Sequence, residues 1–295
     1  MAPVNRKEIE ELRQKANRIR QLAISMLAEA GSGHPGGALG MADIFAALYF
    51  HVLKHDPKRP DWPDRDRLIL SNGHICPARY AAMALAGYFP EKELLTLRRL
   101  GSRLQGHPER ERLPGVESTS GPLGAGLAQA AGLALAARMD KKTWTTYCLT
   151  SDGEHDAGLH WEAALFAGAN DLNNLVCVVD RNRIQLDGGT ETIMRLEPLR
   201  EKYLAFNWDV IDVDGHDLPA VIQALETAKA SRQRPTAIIA MTTLGKGVSF
   251  MEDDYHWHGE APTREQARQA LAELRQEAID PPQAKLKRGS DVTKR

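Results

Sequence analysis

The chain has 295 residues, 42% hydrophobic and 26% charged, with a formal net charge of −1 at pH 7. That is enough apolar material for one large α/β domain or two ordinary ones, and near-neutrality excludes the positive surplus that non-specific nucleic-acid binding needs. Three cysteines without CxxC spacing (Cys76, Cys148, Cys177), no apolar run near the roughly 18–20 residues of a membrane span, and a charged N-terminus with no apolar core behind it argue for a cytoplasmic enzyme, not a disulfide scaffold, zinc site or secreted protein.

From Lys7 to Ala30 the residues Ile9, Leu12, Ala16, Ile19, Leu22, Ala23 and Met26 recur every three or four positions, which predicts an amphipathic helix. A Gly- and Pro-rich break from Gly31 to Gly37 ends it, and a second helical stretch is expected from Met41 to Leu53. The segment His55–Arg67, rich in Pro, Asp and Arg, reads as a surface loop. Short apolar runs then predict five strands, at Arg67–Ser71, Tyr147–Thr150, Leu175–Asp180, Val210–Val213 and Ala237–Met241. Helical patterns at Trp161–Ala169 and Leu218–Ala230 separate successive runs. Strand and helix in alternation imply right-handed crossovers, hence an α/β fold with a mostly parallel sheet and helices on both faces. One domain is expected over residues 1–282, followed by a basic, flexible tail at 283–295.

Gly31-x-Gly33-x-x-Gly36 matches the dinucleotide-binding fingerprint by letter. Its mechanism needs a strand before it and a helix opening within it. Here a long helix precedes it and Pro35 sits inside, so the match is a decoy. A stronger signal begins at Asp152-Gly153, directly after the second strand, and ends at Asn182, directly after the third. One crossover helix and one strand fit between them, so two neighbouring parallel strands deliver both side chains to one carboxyl edge, where open α/β sheets bind ligands. A carboxylate, an amide oxygen and a nearby backbone carbonyl form a hard, oxygen-only set suited to Mg²⁺ or Ca²⁺. Gly153 leaves room for a phosphate, and the N-terminus of the following helix favours an anion.

The stretch Asp152-Gly153…Asn182 resembles the diphosphate-binding signature of thiamine-diphosphate enzymes. Ser32-Gly-His34-Pro-Gly36, Leu70-Ser-Asn-Gly-His74, Gln105-Gly-His107-Pro-Glu109, Ser120-Gly-Pro-Leu-Gly124 and Trp257-His258-Gly259 occur in that order. Together they resemble the N-terminal, diphosphate-binding half of transketolase over nearly the whole chain except the tail. The resemblance implies that Asp152 and Asn182 by side chain, and Ile184 by its carbonyl, ligate the metal. It further implies that Gly153 approaches the diphosphate, that Gly121, Leu123 and Gly124 meet the cofactor's aminopyrimidine side, and that Leu186 packs against the cofactor. His34, His74, His107 and His258 would line the channel above the thiazolium, with His74 near the diphosphate or the reacting carbon.

One position departs from the family. A glutamate is usual five residues beyond the aspartate, and here that position is Ala157; Asp156 is shifted by one, while Glu162 matches a family acid. This bears on a proton relay between paired sites, not on the metal set. The spacing His155-x₄-His160 is not HExxH, and the pair reads as incidental. Tyr255 and Trp257 read equally as packing or as function, and His258 as function.

The implied reaction is transfer of a two-carbon ketol unit from a ketose, expected to be phosphorylated, to an aldose. In the family, the pyrimidine-binding half carries the glutamate that activates the cofactor and the groups that hold the sugar's phosphate. The chain is therefore expected to act with a complementary C-terminal transketolase subunit carrying that domain, as an α2β2 assembly without nucleic acid or membrane. Competing readings are the α subunit of a thiamine-dependent 2-oxoacid dehydrogenase, a deoxyxylulose-phosphate synthase and a non-catalytic regulatory homologue.

Overall fold

The computed structural model of the protein describes residues 5–279. Asn5 caps the first helix by accepting the Glu8 backbone N–H at 2.9 Å, and Gly31, at φ 65°, ends it by donating its own N–H to Leu27. Between these caps runs α1 (Arg6–Ala30). It is followed by α2 (Pro35–Gly40), by α3 (Ala42–Ala47) with a π-turn continuing over Leu48–Val52, and by β1 (Arg67–Leu70) and α4 (Cys76–Ala86). Next come α5 (Gly126–Met139), β2 (Thr146–Ser151), α6 (Gly158–Ala169), β3 (Leu175–Arg181), β4 (Ile184–Gln185) and β5 (Gly188–Gly189). The chain continues through α7 (Thr190–Ile193), α8 (Leu199–Ala205), β6 (Asp209–Asp214), α9 (Leu218–Lys229), β7 (Thr236–Met241) and α10 (Arg264–Ile279).

Five strands form one sheet in the order β1-β2-β3-β7-β6, and every neighbouring pair is parallel. Strands β4 and β5 make a separate two-residue hairpin. Side chains alternate between the two faces, as the pleat requires. Leu68, Leu70, Leu149, Val176 and Val178 join the core with α1, α3, α4 and α9. Ile69, Cys148, Cys177, Val179 and Ile239 join the opposite core with α5, α6 and α8. A third cluster seats α10 through Ala267, Ala270 and Leu274 against Ile24, Leu39, Leu244 and Trp257. After β3 the chain crosses to the face that holds α8, whereas after β7 it turns towards α1 and α10. The carboxyl ends of β3 and β7 therefore flank a crevice, the place where such sheets bind ligands.

The five expected strands, the α/β class and the two-sided cover hold. Five of the helices carry no expectation, among them the single-turn α7. α5 is apolar on most sides and so lacks a helical period, α10 is largely polar, α8 is short, and α4 follows β1 after a single tight turn. The helix expected from Met41 begins earlier: the break spans only Gly31–His34, because Pro35 takes the first helical position, where its missing N–H has no partner to lose. The Gly-rich letters 31–36 follow a helix and not a strand; α2 does open within them at Pro35, so the missing strand alone makes the match a decoy. All three cysteines are buried and unpaired. The tail expected at 283–295 lies outside the described residues.

Candidate active site

Because all five strands run the same way, Ser71, Asp152, Asn182 and Thr242 leave the sheet at one edge. Asp152 is fully buried. One carboxylate oxygen accepts the Gly153 N–H at 2.8 Å; the other accepts the Arg183 N–H at 2.6 Å and the Arg181 guanidinium at 3.1 Å. Burial nonetheless pushes its carboxyl up to about 6, against the pull of Arg181 and the two amides. Asn182 donates to Asp180 at 3.1 Å and accepts the Ile184 N–H at 2.9 Å, so its oxygen faces the turn that carries the Ile184 carbonyl. Asp180 also accepts the Thr242 hydroxyl, and burial raises its carboxyl to about 7. The β4–β5 hairpin covers Gly153: a Cβ there would lie 3.2 Å from that of Gln185.

Among the described residues no group of three or more His, Cys, Asp or Glu side chains could hold a metal by itself. The set Asp152, Asn182 and Ile184 supplies one charge and two neutral oxygens. It fits a hard divalent cation whose remaining ligands come from a diphosphate and water, as Mg²⁺ sites usually arrange them.

A third buried carboxylate joins three loops. Glu154 accepts the Ser71 hydroxyl at 2.6 Å and the N–H groups of Gly124 and Ser151 at 2.8 Å each. Burial raises this carboxyl to about 7. The turn Gly121–Gly124 is thereby fixed against the Asp152 loop. Gly124 is at φ 83°, and a Cβ on it would lie 2.5 Å from that of Ala157, so only glycine fits. Leu123 stays 47% exposed at the tip of this turn, and Leu186 is 61% exposed on the hairpin loop.

The four motif histidines come together from four separate loops. Ring centroids of His34 lie 5.1 Å from His74, 6.4 Å from His107 and 6.0 Å from His258, and His74 stacks on His258 at 5.2 Å. Burial, with His258, Arg98 and His107 nearby, lowers the His34 imidazole to about 4. Burial also lowers His74, His107 and His258. The wall is therefore neutral at physiological pH, and each ring presents one N–H and one bare nitrogen. Nδ1 of His34 and Nδ1 of His258 are buried without a partner among the described residues. Helix α2 links this wall to the Asp180–Asn182 turn: His34 occupies its N-cap position, and a Cβ at Gly37 would lie 3.7 Å from the Asp180 carboxylate. A Cβ at Gly259 would touch Leu186 at 3.3 Å and His34 at 3.7 Å, which brings the hairpin against the wall.

Every expected site residue thus lies on one edge. Several neighbours carry no advance signal. Asp180 and Thr242 orient Asn182, and Glu154 holds the turn. Arg98, at a left-handed φ of 61°, lies over Gly106 and donates to the Ser32 hydroxyl at 3.4 Å, in a groove shared with His107 and Ser120. The histidines His155 and His160, expected to be incidental, are not: both bond to Tyr203. Trp257 is buried against Phe250 and packs, whereas Tyr255 is exposed. Ala157 opens α6 beside Gly124, and Glu162 lies on the exposed side of that helix. A larger cavity, about 1320 Å³ beside β6 and α9, gathers none of the motif residues.

The family described as "Transketolase, thiamine diphosphate binding domain" matches residues 12–286. The chain is 45% identical over 267 residues to the 6-deoxy-6-sulfo-D-fructose transketolase subunit of Clostridium sp. (strain MSTE9), covering 90% of this chain and 97% of that protein. It is 38% identical over 267 residues to an apulose-4-phosphate transketolase subunit of Phocaeicola vulgatus, covering 90% of this chain and 95% of that one. The solved transketolase of Campylobacter jejuni superposes with a TM-score of 0.84 at 36% identity, covering 89% of this chain but 42% of that chain.

Proposed function

The chain belongs to the transketolase family, and on that footing we propose that it is the diphosphate-binding subunit of a two-subunit transketolase, which transfers a two-carbon ketol unit from a ketose to an aldose. One observation carries the reading: a buried carboxylate–amide–carbonyl turn and a wall of four neutral histidines meet at a single sheet edge. Asp152, Asn182 and the Ile184 carbonyl hold Mg²⁺ or Ca²⁺, and Gly153 admits the diphosphate. Bound thiamine diphosphate supplies the electron sink for cleaving the bond beyond the donor's carbonyl. Leu123 and Leu186 present exposed apolar surface on either side of the cleft, where the cofactor's rings would cover them. His34 and His258 hydrogen-bond the sugar's reacting oxygens through Nε2, the ring nitrogen of each that is not shut off from solvent. His107 meets the donor's hydroxyl end, and His74 stands near the diphosphate or the reacting carbon. Both subunit relatives are named for sugars bearing an acidic group, one sulfonated and one phosphorylated. An anionic ketose is accordingly the substrate class, and Arg98 at the groove is a cation of this chain that would meet it.

The subunit relatives span nearly the same length as this chain, whereas the single-chain enzyme is more than twice as long. A complementary subunit with the pyrimidine-binding domain is the partner this supports, in an α2β2 assembly with sites at the interfaces. Unpaired cysteines, and the finding that no described helix is long and apolar enough to cross a membrane, support a cytoplasmic setting. The test is two-carbon transfer by this chain alone and after addition of the complementary subunit. No activity alone and full activity in the mixture is expected. Full activity from this chain by itself would overturn the two-subunit reading.

A further inference from the structure

Behind the Asp152 turn lies a buried hydrogen-bond network that the proposed chemistry does not use. His155 Nδ1 lies 2.9 Å from the Ser151 carbonyl and 3.1 Å from that of Asp152. Its Nε2 lies 2.9 Å from the Tyr203 hydroxyl, and His160 Nε2 lies 2.7 Å from the same hydroxyl. All three side chains are at most 2% exposed.

Donor accounting fixes the protons. Carbonyl oxygens only accept, so His155 carries its proton on Nδ1. Its Nε2 is then bare and accepts the Tyr203 O–H. Tyr203 has only that one proton, so His160 must donate from Nε2 to the phenol oxygen. The His160 Nδ1 is left bare, and it has no partner among the described residues. Burial holds His155 down to about 4 and His160 well below its ordinary value, in keeping with two neutral rings. The Trp161 indole N–H closes the network by donating to the His155 carbonyl at 2.7 Å.

We propose that His155 is a positioning residue for the metal–diphosphate turn, clamping the Ser151 and Asp152 carbonyls in a tautomer dictated by Tyr203 and His160. The inference rests on the reading of Asp152 as a metal ligand. Those two peptide units are otherwise held by the Asp152 N–H on the Asp180 carbonyl at 3.2 Å and the His155 backbone N–H on the Asp152 carbonyl at 3.1 Å, and the imidazole adds a side-chain donor to both carbonyls. With it, α8 braces a turn that follows β2. Groups that orient a metal ligand typically contribute about 10–100-fold in metal affinity.

Two measurements on the full-length chain test this. In ¹⁵N-histidine-labelled protein, long-range ¹H–¹⁵N spectra should show His155 as the Nδ1–H tautomer and His160 as the Nε2–H tautomer. The Tyr203→Phe variant should lose the fixed tautomer at His155. Calorimetry at millimolar thiamine diphosphate should show the Mg²⁺ concentration for half-maximal cofactor binding rising about 10-fold or more in His155→Leu and Tyr203→Phe. His155→Asn, which keeps a donor near the carbonyls, should recover part of that loss. A merely structural role would lower the melting temperature without moving the Mg²⁺ midpoint. Tyr203→Phe removes one oxygen, and so carries the test if His155→Leu fails to fold. An Nε2–H tautomer at His155, or wild-type Mg²⁺ midpoints in variants that fold, would overturn the proposal. Asp152→Ala is the reference: if it too leaves cofactor binding unchanged, the site reading itself falls.

Discussion

In the proposed function His34 and His258 meet the reacting sugar from loops at opposite ends of the sequence, and in each ring Nε2 is the nitrogen left open to the cleft. A group that hydrogen-bonds the substrate mainly in the transition state changes turnover more than cofactor binding. His34→Ala and His258→Ala should each lower kcat by about 10²–10³-fold, with the thiamine diphosphate affinity nearly unchanged. Steady-state kinetics on the assembled enzyme decide this, and near-wild-type rates in both variants would remove the roles assigned here. His34 also sets a pH dependence of stability. Burial, followed by His258, Arg98 and His107, holds the folded His34 at about 4, below its ordinary 6.5. Below pH 6.5 the unfolded chain therefore takes a proton that the folded chain refuses. The contribution is complete above pH 6.5 and is lost as the pH falls towards 4. His34→Asn should accordingly lose less melting temperature between about pH 7 and pH 5 than the unmodified chain does, as read by circular dichroism.

At the level of elements, α6 is the most informative. Its Ala163, Ala164 and Ala167 pack into the core, while Leu159, Leu165 and Phe166 on its other side are 45%, 54% and 42% exposed. Large apolar side chains clustered on the open side of a helix mark a surface that a partner covers, and burying one such side chain contributes about 1.5–3 kcal/mol. Glu162 lies among these exposed residues, on the surface the complementary subunit or a second copy would cover. Leu165→Glu combined with Phe166→Glu should leave the circular dichroism spectrum and melting of the free chain intact, yet shift the mixture with its partner from complex to free chains in light scattering. A wild-type complex mass would place the interface elsewhere.

For the molecule as a whole, the parallel sheet gathers every ligand-bearing loop at one edge, and three carboxylates buried there hold it in an unusual electrostatic state. Asp152, Glu154 and Asp180 are all raised by burial, and among them only Asp152 pairs with a side-chain cation, Arg181, which Glu191 and Glu197 also engage. Such an edge is unfavourable for anions alone and favourable for a cation that brings the diphosphate with it. In the proposed function the cofactor and its metal would complete the charge balance of the fold as well as its chemistry.

The sequence by itself determined the layered α/β architecture and the meeting of Asp152 with Asn182. Apolar strands with a crossover helix between them admit essentially one hand of connection, so adjacent parallel strands must end at the same edge. It also determined the order of the glycine- and histidine-bearing loops, through the family resemblance they carry. The tertiary structure decided what those loops do to one another. Neither Asp180 turning Asn182, nor Glu154 seating Gly124, nor Tyr203 reaching His155 has a local period or a spacing that announces it. Each is a contact whose strength comes from burial, which only the packed core creates. The helices without an expectation are silent for a related reason: α5 is largely apolar on its open side as well as its buried one, so its letters show no amphipathic stripe. The paired histidines behind the metal turn are the sharpest case. As letters, five positions apart, they match no metal pattern; in the fold, one phenol from α8 turns them into the support of the site.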